Sequence, residues 1–239
     1  MSLKLKKKPL NSKTGPYSFT GFLKRKINKA PAIGPEASVT ALLLGTVNTL
    51  STKRYSDLRV EEIVKASGVS RATFYNHFDS KLAICHEVFT EYSKFSNEMT
   101  PPSNPNLHPF DEIFQISLNF TKLICANAAL HRRFVELSAE IPIISALWDE
   151  HNAQNIESIP RRLYREDRGG TEQDRIADTF LIGSVLHENI YGLYVTGRTP
   201  AARMSIKSPE HLAYRASLMM YRAEYLAEPP SRCEAHQYA

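Results

Sequence analysis

The stretch Ser67-Gly68-Val69-Ser70, followed by Thr73-Phe74-Tyr75-Asn76-His77-Phe78, carries the residue types with the clearest chemistry in this chain. Glycine at 68 suits a backbone with φ > 0, which ends one helix and turns the chain sharply. Ser70 is placed to cap the next helix through the amide of Thr73. Two short helices joined by a three- or four-residue turn make a helix-turn-helix. In that arrangement Ile63, Val69 and Phe74 face inward and lock the pair. Ser70, Arg71, Ala72, Thr73, Tyr75, Asn76 and His77 are left on the outer side of the second helix. Such a helix fits the major groove of DNA with its N-terminal residues at the base edges. Arginine reads guanine through O6 and N7. Tyrosine, histidine and lysine hold phosphates, which fix register without reading sequence.

The surrounding elements must position this pair. Val39, Leu42, Leu43, Thr46, Val47 and Leu50 recur at helical spacing and predict a helix that starts at Pro35 or Glu36. The first helix of the pair runs from about Arg59 to Ser67, with Glu61 and Glu62 at its positive end. Asp79 or Ser80 caps a long helix with the stripe Leu82, Cys85, Val88, Phe89, Tyr92 and Phe95. Pro101, Pro102, Pro105 and Pro109 mark a hinge over residues 100–109. Beyond it Phe110, Ile113, Phe114, Ser117, Phe120, Thr121 and Ile124 give a helical stripe, and Leu130, Phe134 and Leu137 give another. Pro142 interrupts before Ile144, Leu147, Trp148 and His151. Arg168-Gly169-Gly170 reads as a turn, residues 171–196 as one long helix, and residues 208–226 as a last helix ended by Pro229-Pro230. Strand signals are nearly absent, so the fold class is all-α.

Net charge is only +5, but it is uneven. Residues 1–35 hold nine basic side chains and no acid, which leaves 21 basic against 25 acidic side chains in the rest. Punctuated by proline and glycine, this segment is expected to be a disordered basic arm with a polyanionic partner. The three cysteines, Cys85, Cys125 and Cys233, fit neither a zinc spacing nor a paired disulfide framework. No apolar run approaches the roughly 18 residues of a membrane span, and no apolar signal core follows the basic N-terminus. The expectation is a cytoplasmic protein without a membrane partner.

Residues 39–85 resemble the DNA-binding head of the TetR family of bacterial regulators. The resemblance rests on the apolar first helix, Tyr55, Val60-Glu61-Glu62-Ile63, Gly68-Val69-Ser70, Thr73 through Phe78, and Lys81-Leu82. It implies a three-helix helix-turn-helix head over 36–99 and a helical ligand-binding and dimerisation domain over 108–228, behind the arm at 1–35. It also implies that Arg71, Ala72 and Thr73 lie nearest the bases and that Tyr75, His77 and Lys81 grip phosphates. Three positions depart from the family pattern: Arg54 where glycine is common, Arg59 where a Ser or Thr cap is common, and Val64 where alanine is usual. Asp57 is then expected to cap in place of residue 59. The long arm is expected to add phosphate or minor-groove contacts.

The helix at 171–196 is apolar around most of its circumference, through Ile176, Phe180, Leu181, Ile182, Val185, Leu186, Ile190, Tyr191, Leu193 and Tyr194. Such a helix is buried on more than one side, and the resemblance implies a homodimer through it and the last helix. Candidate pocket residues are Phe114, Leu118, Phe134, Leu137, Trp148, His151, Phe180, His187 and Tyr191. For each of them plain core packing is the leading alternative. His151 and His187 lack the spacing of a metal pair. Nucleophile-elbow, P-loop and dinucleotide motifs are also missing, so a non-enzyme without cofactor is expected. The leading expectation is a repressor released from a palindromic operator on double-stranded DNA by a small, apolar effector. An activator or an architectural DNA binder without such a switch is the alternative.

Overall fold

The computed structural model describes residues 15–29, 34–104, 106–163, 171–198, 205–225 and 229–238, and the regular structure among them is entirely helical. Helix α2 (Pro35–Leu50) opens with proline in its first turn, where a missing N–H costs nothing. Two of its threonines satisfy their hydroxyls on the helix backbone: buried Thr46 Oγ1 donates to the Leu42 carbonyl at 2.9 Å and half-buried Thr49 Oγ1 to the Gly45 carbonyl at 2.8 Å. Helix α3 (Val60–Ser67) crosses α2 at Gly45. A Cβ there would stand 2.8 Å from the Ser67 nitrogen and 2.9 Å from the Ile63 oxygen, so only glycine allows the two backbones to approach this closely. Gly68 then adopts φ 73°, and helix α4 (Arg71–His77) follows. Ser80 caps helix α5 (Lys81–Met99) by accepting the Ala83 amide at 3.1 Å.

The head does not end where α5 leaves it. Ile84, Cys85, Val88 and Phe89 close its core together with Leu42, Leu43, Val47, Leu50, Ile63 and Phe74. The same apolar cluster continues through α5 into helix α7 (Ala128–Ser138) and helix α8 (Pro142–Leu163). Phe89 stacks on Phe134 of α7 with ring centroids 4.0 Å apart. Helix α6 (Pro109–Ala126) and α7 meet at Asn127. As expected, Pro142 separates two helices: α7 ends at Ser138, and Pro142 opens α8 in its first turn.

Helix α9 (Glu172–Ile190) is capped reciprocally by Thr171 and Asp174, widens into a π-helical turn over Tyr191–Thr196, and stops at Gly197. The single helix expected over 171–196 is therefore an α-helix with a π-helical end. The last long helix, α10 (Pro209–Tyr225), packs along α6 and α9. Pro229-Pro230 does not end the ordered chain. A 3-10 turn at Glu234–Tyr238 folds back onto α6 and α10, where the Ala235 amide donates to Asp111 Oδ1 at 2.9 Å. Arg168-Gly169-Gly170, expected as a turn, lies outside the described residues. Among the described residues no single helix is long and apolar enough to cross a membrane.

The expected disordered arm needs correction. Part of it is helix α1 (Phe19–Lys29), and Phe19 and Leu23 are fully buried. Phe19 and Phe22 join Phe95 at centroid distances of 5.5 and 5.0 Å, and Phe19 meets Tyr92 edge-on at 5.4 Å. The helix is tied to the corner between α6 and α7. Asn127 accepts the Phe19 amide at 2.9 Å and donates to the Tyr17 and Leu123 carbonyls, both at 2.8 Å. Lys26 adds an ion pair with Glu91 of α5 at 3.2 Å. Residues 1–14 of the arm lie outside the described residues.

Candidate nucleic-acid interface and ligand cavity

Helix α4 is held from inside by Phe74, which is fully buried, and from its start by Ser70. The Thr73 amide donates to Ser70 Oγ at 3.0 Å, and the two hydroxyls of Ser70 and Thr73 are 2.8 Å apart. The cap satisfies one of the helix's orphan amides. With Phe74 fixed, Arg71, Ala72, Tyr75 and Asn76 are exposed, and Thr73 and His77 are half-buried. Arg71 Nη1 contacts Glu61 Oε1 at 2.6 Å, and its guanidinium lies 5.6 Å from the Tyr75 ring centre. Both charged side chains are more than half exposed, so water screens the pair and an incoming base or phosphate can compete for the arginine.

Lys81 is placed against the loop that precedes α3. Its Nζ donates to the Tyr55 carbonyl at 3.1 Å and the Leu58 carbonyl at 3.2 Å, and sits 4.4 Å from the Tyr55 ring centre. Two carbonyls of the α2–α3 loop and one aromatic face thus hold the ammonium that is expected to meet a phosphate. Asp57 departs from its expected role. The Arg59 amide is met by Glu62 Oε2 at 3.3 Å, while Asp57 contacts Ser56. Glu62 bonds Lys53 as well, and this hydrogen bond lowers the pKa of its carboxyl. Arg54, Arg59 and Lys65 remain exposed around this edge of the head. They were legible only as departures or surface charge.

A cavity of about 390 Å³ lies among α5, α6, α8, α9 and α10. Of the candidate pocket residues, Trp148, Phe180 and His187 line it. Phe114 and Leu118 do not: they pack with α10 and the C-terminal turn, where Phe114 meets Tyr238 at 4.9 Å. Phe134 is taken up by Phe89, and Leu137 belongs to the same core. His151 and Tyr191 stand behind the wall, with Tyr191 stacked on His187 at 6.1 Å and His151 buried 6.5 Å from the Trp148 ring. The sequence reading missed Phe120, Leu123, Asn119 and Asn152, which also line the cavity. Phe120 was in the α6 stripe but was read as core, because periodicity does not separate a core face from a cavity wall.

Behind His187 is His131, which the sequence reading also passed over. Their Nε2 atoms are 3.0 Å apart, so one imidazole donates to the other. Burial pushes His131 down to about 3 and His151 down to about 4, and it lowers His187 as well. All three rings are therefore neutral at pH 7. Among the described residues no group of three or more His, Cys, Asp or Glu side chains is arranged to hold a metal ion.

A capped, outward-facing helix on a glycine turn, braced by two further helices, defines the class of helix-turn-helix DNA-binding proteins. Residues 42–88 match the family described as bacterial regulatory proteins, tetR family. Over 59 residues the chain is 36% identical to a protein of Bacillus subtilis (strain 168) named as an uncharacterized HTH-type transcriptional regulator, YdgC. That alignment takes in 25% of this chain and 30% of the Bacillus protein, so the likeness spans under a third of the relative. Over these residues the head is similar to that of the TetR family of bacterial transcriptional regulators.

Proposed function

We propose that the protein is a cytoplasmic repressor that binds a palindromic operator as a homodimer and releases it when a small molecule occupies the cavity. The carrying observation is the reach of α5. At its start Lys81 grips the loop that leads into α3, and near its end Ser96 and Thr100 line the cavity. The helix has 19 residues, so it spans about 28 Å at 1.5 Å per residue. A ligand that moves the far end of α5 moves the seat of the head. To act as a switch it must prefer one of the two states, with a coupling of about 1–3 kcal/mol.

The dimer has its own support. Leu181 and Val185 on α9 and Met219 on α10 are 60%, 47% and 53% exposed, an unusual state for large apolar side chains on neighbouring helices. A second copy on this face would bury them. Light scattering should return twice the chain mass of 27.0 kDa, and a monomer would remove the palindrome from the reading.

The decisive experiment is selection of genomic DNA fragments by the purified protein, followed by footprinting with and without candidate ligands. A palindromic footprint that disappears with ligand is expected. A footprint that no ligand alters counts against the switch. Reporter expression should rise when the gene is deleted, whereas a fall would mean activation.

A further inference from the structure

We propose that the cavity selects an uncharged or cationic aromatic molecule that carries hydrogen-bonding groups, and that it rejects carboxylates and phosphates. This names the ligand class for the effector site and rests on that reading. Three observations carry it: the charge of the lining, the free carboxamides and the aromatic walls.

Among the described residues the lining contains no lysine or arginine. Among those residues the one formal charge is the carboxylate of Glu188, at the exposed edge, and His187 beside it is neutral at pH 7 because burial lowers its pKa. The arginines of α7, Arg132 and Arg133, face Glu136 and do not line the cavity. An anion entering this space would lose its water and gain no counter-charge, which strongly disfavours its binding. A cation would instead meet Glu188 and the faces of Phe120, Trp148 and Phe180.

Polar recognition falls to Asn119 on α6 and Asn152 on α8. Both line the cavity, and among the described residues neither side chain has a hydrogen-bond partner. Each offers two donors and one acceptor oxygen. Thr179 and Ser184 add hydroxyls from α9. A ligand that fills the aromatic space and pairs with these amides leaves fewer polar groups unanswered than a plain hydrocarbon does. The volume of about 390 Å³ suits a compact molecule of drug-like size.

The chain has a single tryptophan, Trp148, and it stands in the wall, so one indole N–H resonance reports occupancy. The test is calorimetric titration of the full chain with three molecules on one skeleton: 2-naphthamide, 2-naphthylmethylamine and 2-naphthoate. The amide and the amine should bind saturably and shift the Trp148 resonance, with the carboxylate weaker by about tenfold or more. Glu188→Gln should weaken the amine by roughly threefold and leave the amide unchanged. Glu188 is largely exposed, so this variant keeps the fold. Asn119→Ala with Asn152→Ala should weaken the amide. Naphthoate binding as tightly as naphthamide would overturn the proposal, as would no perturbation of Trp148 by any of the three. A footprint that survives ligands showing this preference would overturn the switch and leave the ligand class standing.

Discussion

Arg71 and Lys81 are both cations of the head, yet the structure gives them different work. Among the described residues Arg71 is held by a solvent-exposed carboxylate and the face of the Tyr75 ring, so it is available to DNA. Arg71→Ala should therefore lower operator affinity by about 1–3 kcal/mol and relax preference at one base pair, read by binding to operator variants. Lys81 instead anchors the Tyr55 and Leu58 carbonyls. Lys81→Met should lower the urea midpoint and leave the salt slope of DNA binding unchanged. A slope reduced by about one unit would restore the phosphate role. Glycine at 45 is as informative. Gly45→Ala forces a Cβ onto backbone atoms of α3 at 2.8 and 2.9 Å, so the helices must part. The expected loss is about 1–3 kcal/mol of stability by chemical unfolding. The helix-turn-helix residues were legible from sequence because local constraints dictate them: Gly68 by its left-handed backbone, Ser70 by an orphan amide, Phe74 by the need for an anchor. The direction of Lys81 was not, because it depends on two carbonyls contributed from the α2–α3 loop.

Among the elements, α1 and α5 decide how the head is attached. The sequence of α1 reads as a tail because charge and proline surround it. Its ordering comes from Phe19 and Phe22, whose partners Tyr92 and Phe95 on α5 are some 70 residues away in the chain, and from Leu23 in the same core. A local helical pattern is present in Phe19, Phe22, Leu23 and Ile27, but it fills only an 11-residue helix set among basic residues and prolines, which read together as a tail. The consequence is testable at Asn127. Replacing it by alanine leaves the Phe19 amide and the Tyr17 carbonyl without their buried partner. Each such group costs about 1–3 kcal/mol, and hydrogen exchange should show α1 opening before the rest of the head. Deleting residues 1–14 is a separate experiment that spares this seam. If those residues track phosphates, the deletion reduces the salt slope of operator binding; an equal slope removes them from the interface. The cavity was hidden for a different reason. Phe120 and Leu123 share α6 with Ile124, which is core, and the spacing of apolar residues is the same on both faces.

At the scale of the whole molecule, one cluster links the cavity to the pH response of the fold. His131 on α7, His151 on α8 and His187 on α9 surround Trp148, with ring distances of 5.5, 6.5 and 5.9 Å. All three are neutral when folded, because burial pushes His131 down to about 3 and His151 down to about 4 and lowers His187 too. In the unfolded chain a histidine titrates near 6.5. Between these values the unfolded chain binds more protons than the folded one, so stability increases with pH there. The stabilising contribution is fully present above about 6.5 and is lost as pH falls through the folded values. The urea midpoint should therefore drop as pH is lowered from about 6.5 toward 4, in the range where His151 charges. Carboxylates add to acid unfolding, so the discriminating variant is His131→Gln, which keeps a polar group beside His187 and removes one titration. Its midpoint should depend less steeply on pH over that window than that of the unchanged chain. Equal slopes would mean that His131 is already charged in the folded state, and the cavity wall would then hold the cation whose absence makes it reject anions.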